Sequence, residues 1–316
     1  MDGDQNELQV LGFLGIYRET SKIILKWRKI FTQITLALIL PFCVIFLADP
    51  LVSQLLSFKK EPVAFWLVQV GYFIFLFIFS LLSTAAVVYT VACVRAAKQI
   101  TFKKIMSIVP RVWKRLMVTF FWCFALFFVY NVVAVVLLIV WLVMVRQFSV
   151  GPALGIAVAV ILLILYIVGF VYITMIWQLA SVISVLEDAY GRKAMAKSKG
   201  LIKGKMGLSV WCFLGVLVCS VLVQALFEFL VVLDLVPNGI RVPIGIRIGV
   251  GLICLLLVTM LGLFDLVVQT MIYFVCKSHH HENIDGSCVS DHLEGCLGGD
   301  CPSEGQKAVQ LEQLQV

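Results

Sequence analysis

Six apolar runs dominate the sequence, near Ile30–Ala48, Val63–Val94, Leu116–Val145, Ala153–Leu186, Met206–Leu233 and Gly249–Cys276. Each is long enough to cross a hydrocarbon core, which takes about 20 helical residues. Only helices and closed barrels satisfy their backbone polar groups inside a bilayer. Barrel strands alternate apolar and polar residues over about ten positions, and these runs do not. The chain therefore reads as all-α, a polytopic six-helix transmembrane bundle. The second and fourth runs are long enough to be broken helices, yet neither contains a proline. Composition closes the soluble alternative. The 316 residues are 62% hydrophobic and 14% charged, where soluble folds run at about 45–50% and about 25%.

The net charge of +7 has a topological origin. Basic residues cluster before the first span (Arg18, Lys22, Lys26, Arg28, Lys29), between spans two and three (Arg95, Lys98, Lys103, Lys104, Arg111, Lys114, Arg115) and between spans four and five (Arg192, Lys193, Lys197, Lys199, Lys203, Lys205). Lys277 and Lys307 follow the last span on the same side. Only Lys59, Lys60, Arg146, Arg241 and Arg247 fall on the other. Positive-inside bias then predicts both termini in the cytoplasm. A nucleic-acid partner is excluded, because the charge is spent on membrane flanks. The first 28 residues carry charge throughout and show no small-residue cleavage site, so no cleavable signal is expected.

Each basic segment precedes a pair of spans, which predicts three helical hairpin units of roughly 90 residues in the manner of a repeat. Residues 1–29 form an expected cytoplasmic segment, 30–276 the membrane domain and 277–316 a polar, flexible tail. Arg18, Lys22, Lys26 and Lys29 share a helical face beside Val10, Leu14, Tyr17 and Ile24. In the second segment Ile105, Val109, Val112 and Leu116 form an apolar stripe, with Lys104, Arg111, Lys114 and Arg115 displaced from it. Such basic amphipathic helices suit an anionic cytoplasmic leaflet, and would equally cap the bundle.

Two carboxylates lie within the spans: Glu228, about 8 Å from the outer end of span five, and Asp265, about 16 Å from the inner end of span six. Intramembrane acids flag function. The simpler role for each is an interhelical hydrogen bond to Gln224, Gln269, Asn131, Thr270 or Tyr130. No Gly-rich phosphate loop, nucleophile elbow or HExxH occurs, so no catalytic residue is assigned and the chain reads as non-enzymatic without a cofactor. His279, His280, His281, Cys288, Cys296 and Cys301 lack the paired spacing of a zinc site. Six cysteines lie inside apolar runs and Cys276 ends one, as small polarisable residues of helices rather than a disulfide frame.

The segment Ser181-Val-Ile-Ser-Val-Leu-Glu-Asp-Ala-Tyr-Gly191, with Ala194, Lys197-Ser198 and Leu201-Ile-Lys-Gly204, resembles a plant family of six-span membrane proteins of unassigned function. Leu11-Gly-Phe-Leu-Gly-Ile-Tyr-Arg-Glu19, Cys276-Lys-Ser-His-His280 and Asp291-His-Leu-Glu-Gly295 are similar to the same family. The central motif is more loosely similar to the bacterial UPF0259 and glycerophosphodiester-phosphodiesterase membrane-domain group. The resemblance implies shared architecture and no activity. Physically, Glu187 and Asp188 would end span four, Gly191 would allow a turn, and Ala194 to Lys203, with Ser198 inside it, would form a short helix closed by Gly204.

These features predict a protein that organises lipids or protein partners, another copy of itself included, at the cytoplasmic face of an endomembrane or the plasma membrane. The alternative is a carrier or channel for a small solute or proton, with Asp265 in its path. A third reading makes the tail a docking peptide for assembly or trafficking.

Overall fold

The computed structural model describes residues 12–59, 62–96, 101–147, 151–232 and 243–279. Helix α1 (Phe13–Lys26) leads into α2 (Arg28–Ile34), a π-helical turn (Thr35–Ile39) and α3 (Leu40–Lys59). Then come α4 (Pro62–Arg95), α5 (Phe102–Gln147), α6 (Pro152–Leu186), the short α7 (Arg192–Ile202), and α8 (Met206–Phe227) with a second π turn (Glu228–Val232). Helix α9 (Ile244–His279) ends the described chain. No strand occurs among the described residues.

Six stretches are long and apolar enough to cross a membrane: Arg28–Gln54, Phe65–Arg95, Val112–Gln147, Ala153–Leu186, Met206–Val232 and Ile244–His279. The protein is a multi-pass integral membrane protein with an all-α bundle. α4 and α6 are unbroken, which removes the broken-helix alternative. At about 1.5 Å per residue both are longer than the hydrocarbon core is thick, so they tilt or project beyond it.

Helix α9 runs through the centre, packed against α1, α3, α4, α6, α7 and α8. From Val267 to Ser278 its side chains are nearly all buried. The helix continues past Cys276, so Lys277, expected in the tail, belongs to the bundle and is only 9% exposed. A helix needs no apolar residue to extend its hydrogen-bond ladder, and sequence hydropathy therefore placed this boundary too early. The opposite halves of α5 and α6 pack mainly on each other. Their outward Val, Leu and Ile side chains are exposed, the surface a lipid-facing helix presents.

The end of the bundle carrying Gly12, His279 and the basic segments is called the elbow end below. There α1 docks on α8 and α9. Its buried face centres on Ile16, Thr20 and Ile23, with Tyr17 and Ile24 of the expected stripe packed beside it and Leu14, 76% exposed, turned away. Polar Thr20, fully buried, hides the true stripe. The second stripe, Ile105, Val109, Val112 and Leu116, is buried as expected. Here, however, the basic segment is continuous with the span in α5 rather than a separate helix. The expected flexible tail from residue 280, with His280, His281, Cys288, Cys296 and Cys301, lies outside the described residues, as do Val10 and the side chain of Arg111.

Candidate functional site

Three helices bring polar residues to one place. They are Ser80, Ser83 and Thr84 on α4, Thr174, Gln178 and Ser181 on α6, and Asp265 and Gln269 on α9. Spacings of three and four keep each set on one helical face. The faces meet at a cavity of about 350 Å³, to which Phe42, Phe120 and Trp177 add aromatic walls. Asp265 is the sole ionisable side chain among the described residues that line it. It lies twelve residues before Lys277, so about 18 Å from the elbow end along the helix.

Most of the hydroxyls satisfy themselves on their own helix. Thr84 donates to the Ser80 carbonyl at 2.9 Å, Thr174 to Phe170 at 2.8 Å and Ser181 to Trp177 at 2.9 Å. That back-bonding lets a hydroxyl sit in an apolar helix at small cost. Ser83 does not follow the pattern, being 4% exposed with an Oγ that has no partner. A buried unpaired hydroxyl costs about 1–3 kcal/mol. Gln269 Nε2 donates to Asp265 Oδ2 at 2.6 Å. Asp265 is partly exposed and lines the cavity. Gln269 is one of the expected partners, but the bond runs within α9, one turn away, where an interhelical bond was expected.

A second polar cluster clamps the elbow end. Helix α6 stops at Leu186, and Glu187 is its C-terminal cap residue. Glu187 Oε1 accepts from Tyr273 Oη at 2.6 Å and from Lys277 Nζ at 3.1 Å, and Oε2 pairs with Lys197 Nζ at 2.8 Å. One carboxylate therefore ties α6, α7 and α9 together. Burial pushes the Glu187 carboxyl up, but the Lys197 and Tyr273 hydrogen bonds and the charges of Lys277 and Lys197 outweigh it and hold the group below the usual carboxylate range. Asp188 pairs with Arg115 of α5. Gly191 sits at φ 60°, ψ −128°, a region that only glycine enters freely. Its N–H donates to Thr119 Oγ1 at 2.8 Å. Ser198, fully buried, donates to the Ile176 carbonyl at 3.0 Å.

Gly204 departs from expectation: it lies after the end of α7 with no left-handed φ. Its role is close approach, because a Cβ there would stand 2.6 Å from the His279 ring.

The remaining sequence candidates scatter. Glu228 opens the second π turn, away from the cavity, and has no hydrogen bond or ion pair among the described residues. Tyr130 and Asn131 bond to Tyr166 and to backbone, beside an apolar groove of about 520 Å³ between α5 and α6. Arg18, Lys22, Lys26, Lys29, Lys104, Lys114 and Lys203 are exposed at the elbow end. Arg115 and Lys197, grouped with them in the sequence, are instead engaged by Asp188 and Glu187. Cys276 is buried beside Ser209. No cluster of metal-ligating side chains occurs among the described residues.

Sequence reasoning named Gln269 only as a partner for the acids and passed over Gln178 and the serines and threonines of the cavity, because it looked for carboxylates first. Their spacing of three and four within otherwise apolar runs was the available signal. No curated protein and no solved structure matches the chain. A family model described as a domain of unknown function, DUF8558, matches residues 1–61 and 57–314, and the chain belongs to that family.

Proposed function

We propose that the protein is a non-enzymatic carrier or channel that admits a small polar solute or proton to the cavity around Asp265. One observation carries this: polar faces of three spans converge on a single carboxylate inside an otherwise apolar bundle. Polar groups within a membrane domain are costly and typically line substrate or ion paths. The clamp at Glu187 joins the ends of α6 and α9, both of which line the cavity, and so closes the bundle on that side. In this reading the elbow end faces the cytoplasm, in an endomembrane or the plasma membrane.

Asp265→Asn removes the charge at nearly constant shape. It should abolish pH-dependent solute or proton flux in proteoliposomes while the thermal midpoint stays within a few degrees of wild type. Wild-type flux that persists unchanged in Asp265→Asn contradicts the proposal.

A second reading rests on the exposed cations of α1 and α2. Arg18, Lys22, Lys26 and Lys29 face away from the bundle, and juxtamembrane Lys and Arg attract anionic lipid by about 1 kcal/mol each. Reversing all four charges should deplete anionic lipid co-purifying with the protein. An unchanged lipid profile removes this reading and leaves the first intact.

A further inference from the structure

The cavity's chemistry narrows the solute. We infer that it takes a protonated amine, a compact organic monocation bearing N–H donors and a small apolar body. The inference rests on the reading of the cavity as a solute site and deepens it.

Charge is the first constraint. The lining holds one carboxylate and, among the described residues, no Lys, Arg or His. An unpaired carboxylate within a membrane domain is strongly disfavoured, and a single positive charge compensates it. An anion meets no cation there. A divalent ion would leave one charge uncompensated and finds no second carboxylate.

Hydrogen bonding is the second. Gln269 occupies Asp265 Oδ2, and no partner of Oδ1 occurs among the described residues. Ser83 Oγ, also without a partner among the described residues, is itself closed off from this space. Oδ1 accepts hydrogen bonds, so an ammonium with N–H groups satisfies it. A quaternary ammonium has no such protons.

The walls are the third. Phe42, Phe120 and Trp177 line the same space, and an aromatic face turned to a cation attracts it by about 0.5–2 kcal/mol. An alkali ion needs a shell of oxygens, which these rings do not supply. A volume of about 350 Å³ lies at the lower end of ligand pockets, about 300–1,000 Å³, and accommodates a single-ring amine.

The test compares three probes of one size and shape: phenethylammonium, phenylacetate and 2-phenylethanol. Each is measured by equilibrium dialysis against the full chain purified in detergent, with micelle partition subtracted. Phenethylammonium should bind saturably and more tightly than the other two. Asp265→Asn should weaken it about tenfold or more, the loss of a charge-assisted hydrogen bond. Asp265→Glu should retain binding. Matching unfolding midpoints establish that the variants fold.

If phenylacetate or 2-phenylethanol binds saturably and as tightly as the amine, and the cavity-filling Ser181→Trp abolishes that binding, the amine assignment is overturned and the cavity stands as a solute site. Amine binding unchanged in Asp265→Asn also overturns the assignment. If none of the three probes binds wild type saturably, both the amine assignment and the solute-site reading fail.

Discussion

Glu187→Ala is expected to destabilise the protein by about 3–5 kcal/mol, the cost of removing one partner from a buried ion pair. Lys277 would keep its charge at a site that is 9% exposed, with the Tyr273 hydroxyl at 3.3 Å as its remaining hydrogen-bond partner among the described residues. Lys197, more exposed, regains water and adds little. Thermal unfolding in detergent, followed by near-ultraviolet circular dichroism, measures the loss. A double variant, Glu187→Met with Lys277→Met, should recover most of it, since a buried pair replaced by apolar groups of similar size is often neutral. Full loss in the double variant would mean that the carboxylate contributes by some route other than the pair.

The same group sets an acid limit. Its folded pKa lies below the ordinary carboxylate value, so the folded state binds its proton less readily than the unfolded state does. The stabilisation is complete above the ordinary value, about pH 4, and disappears as pH falls through the depressed one. Wild type should lose stability across that window, and Glu187→Gln should show a flatter acid limb.

Gly191→Ala is expected to produce the second large effect. At φ 60°, ψ −128° a residue with a Cβ is strained by about 1–3 kcal/mol. The added carbon would also stand 3.2 Å from Trp122 Cδ1. The backbone term dominates, because the Trp122 side chain is half exposed and can shift. Gly200→Ala, on α7 with open space around the new methyl, should act in the opposite direction and stabilise by about 0.5–1 kcal/mol. Unfolding midpoints of the two variants should move apart. A shift of the same sign in both would show that the Gly191 conformation is not what holds the turn.

Hydropathy was enough to read the six spans, because a bilayer allows few ways to satisfy a buried backbone. The elbow was legible as a motif: Glu187, Asp188, Gly191 and Ser198 each turn out to hold a specific partner. The partners were not legible, since Tyr273 and Lys277 lie 86 and 90 residues away and only the packing of α9 against α6 joins them. Lys277 looked like a tail residue for that reason. The stripe of α1 was legible in part: Tyr17 and Ile24 pack on the core, but Leu14 faces outward and Thr20, polar and fully buried, left no apolar signal. The cavity was missed for a different reason. Two carboxylates in six spans suggested a scaffold, yet Thr174, Gln178 and Gln269 carry no charge and contribute equally to a polar surface. Neither π turn leaves a mark in composition, although Ile39, the last residue of the first, lines the cavity.

The central claim is that water and small solutes reach the space beside Asp265. Ser181→Cys places a thiol on its wall, and Val136→Cys places one on the outward apolar surface of α5. Both are made with Cys219, Cys288, Cys296 and Cys301 replaced by alanine, and treated with 2-aminoethyl methanethiosulfonate, which reacts with the thiolate and therefore needs water. Ser181→Cys should be modified at least about tenfold faster than Val136→Cys, because a thiolate forms only where water reaches it. Equal, slow modification of both would mean a dry cavity and would contradict the account.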